Sequence, residues 1–211
     1  MKLFKSTYDM ICQGDIKLLY MYLVDGEITD IIYYNQEELW FGKAIILSDN
    51  PLLLEQALKF EKIFRVTNLL DQTMSHLICL HNKQNSLIMM QTLFNNIYDI
   101  DSKDKTSRTP LSYALDNENL KMIKLLLSYG CNINNIREFS TNESLIFLKK
   151  LVQLDTLTSV QEEIIYLLIK FGADFHRYNF WNESADKYFI ILQQTNKISN
   201  YTINLIRNLE I

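Results

Sequence analysis

The stretch from Asp104 to Asn134 reads DKTSRTPLSYALDNENLKMIKLLLSYGCNIN. Thr109-Pro110 suits a helix start. Threonine satisfies exposed N–H groups, and proline fits a first turn that needs no donor from it. Leu111, Ala114 and Leu115 follow as an i, i+3, i+4 apolar stripe. Asp116-Asn117-Glu118-Asn119 breaks the pattern as a turn. Leu120, Ile123, Leu126 and Leu127 form a second stripe, and Gly130 ends it in the left-handed conformation usual after a helix. Each helix is about ten residues long, too short to persist alone in water, so the pair needs neighbours on both sides.

Asp104, Thr109-Pro110-Leu111, Ala114, Leu125-Leu126-Leu127, Gly130 and Asn132-Ile133-Asn134 together resemble one ankyrin repeat. That family's pattern has an Asp start, a Thr-Pro-Leu-His step, a Leu-Leu run and a Gly-Ala-Asp-Val-Asn ending. Ser112 stands where the family has His, Ser107 where it has Gly, and Cys131 where it has Ala. The resemblance implies an all-α solenoid of helix-turn-helix units.

Working outward, Leu167 to His176 (LLIKFGADFH) repeats the ending. The step from Gly130 to Gly172 is 42 residues, against about 33 for a standard repeat. The excess falls between the two helices, around Asp155 to Ser159, as a lengthened loop or as longer helices. Asn142-Glu143-Ser144 and Asn182-Glu183-Ser184 replace the Thr-Pro start of the last two units. Upstream, Leu77–Leu80 with Leu87–Phe94, and Ala44–Leu47 with Leu52–Phe60, read as further pairs, the latter broken at Ser48-Asp49-Asn50-Pro51. The first unit runs from Tyr8–Cys12 through a turn at Gln13-Gly14-Asp15 to Ile16–Leu23 and Gly26. The expectation is one domain of about six units, at 1–30, 31–66, 67–103, 104–136, 137–177 and 178–211, with degenerate end units as polar caps.

A stacked array has no closed pocket and offers an extended concave surface. In proteins of this resemblance, the fingers between units and the first helix of each pair line it. The positions implied are Lys105, Thr106, Arg108, Ser112, Asp116 and Asn117 in the first-read unit. Phe139, Ser140 and Asn142, then Asn179, Phe180 and Trp181, follow in the next two fingers. Tyr33, Tyr34 and Asn35 precede a corresponding helix near the N-terminus. Aromatic fingers carry the most interface energy if exposed; folded under, Phe139, Phe180 and Trp181 would pack the terminal helices instead.

Composition narrows the function classes. The 211 residues are 48% apolar and 22% charged, with a formal net charge of −4 and no basic block, which argues against nucleic acid as a partner. Three scattered cysteines form no disulfide framework, and a reducing, cytoplasmic setting is expected. The longest apolar runs fall far short of the ~20 residues of a membrane span. His76, Cys79 and His81 lack a fourth ligand for zinc, so neither a metal nor a cofactor is assigned. No nucleophile elbow or phosphate loop is present. Abundant Tyr, Phe, Ile and Asn, with more Lys than Arg, match the bias of AT-rich genomes, including those of some intracellular bacteria and large DNA viruses.

The expected function is therefore non-enzymatic: a monomeric module that binds a partner protein through its finger and inner-helix face, as a host-directed effector or inhibitor. Two other readings remain open at this point. One is a small enzyme or regulatory subunit with a site near the long loop at Asp155. The other is a self-associating structural module.

Overall fold

The computed structural model describes residues 8–15, 17, 21, 32–34, 37–39, 41–59, 67–96 and 99–209. A helical segment at 8–12 and a turn at 13–14 come first. Most of the expected second helix at Ile16–Leu23, together with Gly26, Asn35 and Phe60, lies outside the described residues. Strands β1 (Ile32–Tyr34) and β2 (Glu37–Leu39) form an antiparallel hairpin, with Tyr33 opposite Glu38 and Tyr34 opposite Glu37. Helices then follow in pairs: α1 (Phe41–Leu47) and α2 (Pro51–Ala57), then α3 (Met74–His81) and α4 (Ser86–Phe94). The later pairs are α5 (Pro110–Asp116) and α6 (Leu120–Ser128), α7 (Glu143–Val152) and α8 (Ser159–Lys170), and α9 (Ala185–Gln194) and α10 (Asn200–Arg207).

The chain divides into two compact units, 1–105 and 106–211. In the first, α1 packs on α3 and α2 on α4, so pair lies beside pair. Ile45, Leu53, Leu54, Met74, Ile78, Met89 and Met90 fill the space between them. In the second unit α5, α7 and α9 pack in series, and α6, α8 and α10 do the same. Leu111, Ala114, Ile123, Leu126, Leu148, Ile164, Ile165, Leu168 and Leu192 form its core. The stripes expected at Leu111, Ala114, Leu115, Ile123, Leu126 and Leu127 face inward as their spacing requires, while Leu120 is half-buried.

Side-chain caps set where the helices begin. Asn50 accepts from the Leu52 amide at 3.1 Å, Asn119 from Met122 at 3.1 Å and Asn142 from Leu145 at 2.8 Å. Thr158 accepts from Gln161 at 3.2 Å and Ser199 from Thr202 at 3.2 Å. Each satisfies one otherwise orphaned amide of a first turn. Gly130 and Gly172 follow α6 and α8 at φ +81° and +77°, with nothing within 4 Å of a Cβ placed there. Backbone angle, not crowding, therefore demands glycine at both. The long 42-residue step has two sources. Helices α7 and α8 are longer than α5 and α6, and residues 153–158 connect them where 117–119 suffice one repeat earlier.

Between the pairs, the loop tips repeat one backbone feature. Asp71, Ser107, Ser140 and Asn182 all sit at positive φ, between 57° and 59°. At Ser107 this is the position where the resemblance carries glycine. A non-glycine residue pays about 1–2 kcal/mol there for its Cβ. Ser107→Gly relieves that contact but frees the unfolded chain by about 0.5–1 kcal/mol. The expected net result is a small gain in stability, read as a higher midpoint in urea with an unchanged slope.

Candidate functional site

Two successive finger loops of the second unit meet at their tips. In the first, the Ile136–Asn142 bridge and a 2.8 Å bond from the Arg137 amide to the Thr141 carbonyl close the loop. Phe139 and Ser140 are both left-handed at its apex, φ 56° and 59°. In the second, Asn179 shapes the turn. Its Oδ1 accepts from the amides of Trp181 at 3.0 Å and Glu183 at 2.9 Å. The Phe180 amide then donates to the Phe139 carbonyl at 2.9 Å, joining the two tips.

Three rings gather at this junction. The Phe139 centroid lies 5.1 Å from Trp181 and 6.2 Å from Phe180, and Phe180 meets Trp181 edge-on at 6.0 Å. These tilted arrangements suit the aromatic quadrupole. The rings are nevertheless turned outward, with Phe139 57%, Phe180 77% and Trp181 58% exposed, and Tyr178 is exposed beside them. Of the two placements open from sequence, folded under or exposed, the fingers adopt the exposed one.

Glu183 anchors the second finger from below. It accepts from the Tyr188 hydroxyl at 2.7 Å, from Lys149 Nζ at 2.9 Å and from Asn179 Nδ2 at 3.1 Å. The tyrosine bond first, then the lysine and asparagine, pull its carboxyl down from 4.5 to about 2. Burial and the same contact push the Tyr188 hydroxyl up, and the bond to Glu183 raises Lys149.

One repeat earlier, Arg108 pairs with Asp116 and lays its guanidinium 3.9 Å from the Tyr113 ring centroid. Thr106, Asp116 and Asn117 are exposed. Lys105, which belongs to the first unit, is also exposed. Asp155 is exposed in the 153–158 connection. Among the described residues no group of three His, Cys, Asp or Glu comes together as a metal site, and no helix is long and apolar enough to cross a membrane.

Residues 44–137, spanning α1 to the start of the Phe139 finger, match the family model for ankyrin repeats, in three copies. This part of the chain is built of ankyrin repeats. Over 54 residues it is 41% identical to an ankyrin repeat protein of Fowlpox virus (strain NVSL). That stretch is 26% of this chain and 8% of the viral protein, so the two share only a small part of the relative's length. Ankyrin repeats are in general protein-interaction modules, and the family is typically non-enzymatic.

Within the ankyrin pattern, three residues expected on the partner face turn inward. Ser112 is fully buried: its Oγ accepts from the Thr109 amide at 2.9 Å and donates to Glu143 Oε1. Asn142 is buried because it caps α7 and donates to the Asp174 carbonyl at 2.7 Å. Asn179 is buried as the Asx residue of its own turn. In each case a short polar side chain at a loop end finds backbone partners nearer than solvent.

Two further features were not read from sequence. Thr73-Met74-Ser75-His76 is the third unit's version of Thr-Pro-Leu-His, with His76 Nδ1 accepting from the Thr73 amide at 3.1 Å. The 36-residue spacing from Thr73 to Thr109 was the available signal. His76 and Cys79 are accordingly core residues, and burial with Lys43 and Lys83 nearby lowers the pKa of His81. The second feature is the pairing of buried Glu143 with half-buried Arg137, bidentate at 2.8 and 2.7 Å, with Ser112 as a second partner on Glu143. A Glu immediately after a helix cap reads from sequence as a favourable first-turn charge, and nothing in its neighbourhood signals burial.

Removing the partner of a buried charge leaves that charge uncompensated. Arg137→Met strands the buried Glu143 carboxylate and is expected to cost about 3–5 kcal/mol in denaturant unfolding, and Arg137→Met with Glu143→Leu markedly less. Glu183 gives a pH signature. The folded chain keeps it ionised where the unfolded chain protonates it. Its contribution is therefore full above pH 4.5 and lost as pH falls toward about 2. Urea midpoints measured across that window should fall less steeply for Glu183→Gln than for the parent.

Proposed function

We propose that this ankyrin-repeat protein is a non-enzymatic, monomeric module that captures a partner protein on the finger side of its second unit, centred on Phe139, Phe180 and Trp181. The observation that carries this reading is the exposed three-ring cluster built on a left-handed Phe139. A bulky residue at positive φ costs about 1–3 kcal/mol, and such strain concentrates at binding sites. Aromatic anchors in turn supply most of the energy of protein interfaces. Thr106, Arg108, Asp116 and Asn117 extend the surface along the same unit as its polar margin. In this reading the partner is a host protein and the chain its effector or inhibitor, a role with which the viral source of the relative is compatible.

The test replaces Phe180 and Trp181 together with alanine. Both side chains lie largely outside the core, so melting should change little, as expected for surface positions. Retention of the partner that the parent chain captures from host cell extract, measured by quantitative mass spectrometry, should be lost. Unchanged retention rejects the finger surface. Light scattering across a concentration series separates the competing arrangement, in which the exposed rings pair two copies: mass would then rise with concentration in the parent and not in the variant.

A further inference from the structure

A cleft of about 490 Å³ lies between α8 and α10, on the second helices of the last two repeats. Ser159, Glu162, Glu163 and Tyr166 line it from α8, one helical face at i, i+3, i+4 and i+7. Tyr201, Thr202 and Leu205 line it from α10, with Ser199 at that helix's cap. Glu163 is already neutralised by Lys124 of the preceding repeat, Nζ to Oε1 at 2.5 Å. Glu162 is not. Its carboxylate accepts from the Ser199 and Thr202 hydroxyls and, at 3.3 Å, from the Ser199 amide, and no cation among the described residues is paired with it. A carboxylate has about four lone-pair positions, and three acceptances leave room for one more donor. Tyr201, 74% exposed, and the half-buried Tyr166 line the same cleft, with Lys170 Nζ 5.8 Å from the Tyr166 ring centroid.

We propose that this cleft receives a lysine or arginine side chain of a partner protein. The cationic head completes the acceptor set of Glu162, and the aliphatic stem lies against Tyr166, Tyr201 and Leu205. Charge selects the occupant: the Glu162 carboxylate meets only the amide end and hydroxyls of α10, with no cationic side chain paired to it among the described residues, and beside the exposed Tyr201 ring it attracts a cation. The hydroxyl donors hold Glu162 in place beforehand, so little side-chain freedom is lost on binding. The site lies on the second helices, independent of the finger surface, and either can fail without the other.

The experiment is a titration of the full-length, ¹⁵N-labelled chain with acetyl-Gly-Arg-Gly-amide, its lysine counterpart and its citrulline counterpart, followed by amide chemical shifts. The expected result is saturable shifts of α8 and α10 amides with the arginine and lysine peptides and none with citrulline, which keeps the shape without the charge. Glu162→Gln should weaken binding about tenfold, the loss expected for one charge-assisted contact, and Tyr201→Ala, at an exposed position, about threefold, the loss of one exposed cation–ring contact. If Glu162→Gln disturbs the α10 cap, Tyr201→Ala still decides the matter. Absence of shifts at α8 and α10, equal shifts with citrulline, or shifts confined to the aromatic fingers would each overturn the assignment.

Discussion

Helices of seven to twelve residues do not persist in water on their backbone hydrogen bonds alone, and the ten paired helices among the described residues have such lengths. What holds each one is lateral burial of its apolar stripe against the next pair. Ala44, Ile45, Leu53, Leu54, Ala57 and Ile78 lose all their exposure in the first unit in this way, as do Ala114, Ile123, Leu126, Leu148, Ile164 and Leu168 in the second. This burial acts between neighbours, so stability spreads along each row of helices rather than from one centre. Helix α10 shows the consequence at the end of its row. With α8 on one side, its buried side chain is Thr202, and Ile203, Leu205 and Ile206 stay half-exposed.

Apolar burial is non-directional, so polar contacts set the register between repeats. Several of these place an acid of one repeat at the start of the second helix in the next. Asp49 accepts from the Asn85 amide at 3.0 Å, Glu118 from Gln161 Nε2 at 2.9 Å, and Glu162 from the Ser199 and Thr202 hydroxyls. Negative charge at a helix N-terminus is favoured by the exposed amides there. The first helices use a different device. Ser112 is too short to reach far across the gap between α5 and α7, and Glu143, held by Arg137, spans it from the other side.

The same economy of glycine explains the fingers. Among the described residues glycine takes the left-handed helix end only at Gly130 and Gly172 in the second unit; Glu118 and Asn196 fill the ends after α5 and α9, and the finger apices fall to Ser107, Phe139, Ser140 and Asn182. Holding Phe139 there turns its ring outward, where it meets Phe180 and Trp181 from the following finger. A packed aromatic cluster would add stability if buried. Exposed on strained backbone, it lowers stability and adds recognition surface instead.

Much of this was legible along the chain. Thr109-Pro110, the two stripes, Gly130 and the Gly172 ending determine the helix pairs and their repetition, because caps, periodicity and left-handed glycine act within a few residues of each other. The long interval from Gly130 to Gly172 likewise marks the extended connection at 153–158. The Thr73–His76 step was equally local but hidden by its unfamiliar residues. What only the tertiary structure decided is which polar and aromatic side chains face solvent. Ser112, Asn142 and Asn179 turn inward while Phe180 and Trp181 turn out. Glu143 is buried with Arg137 while Glu162 opens on a cleft. Several of those outcomes depend on groups 30 to 40 residues away that the stacking brings within bonding distance, as with Ser112 and Glu143 at a separation of 31, Asn142 and Asp174 at 32 or Glu162 and Thr202 at 40. Local pattern carries no term for such distant neighbours.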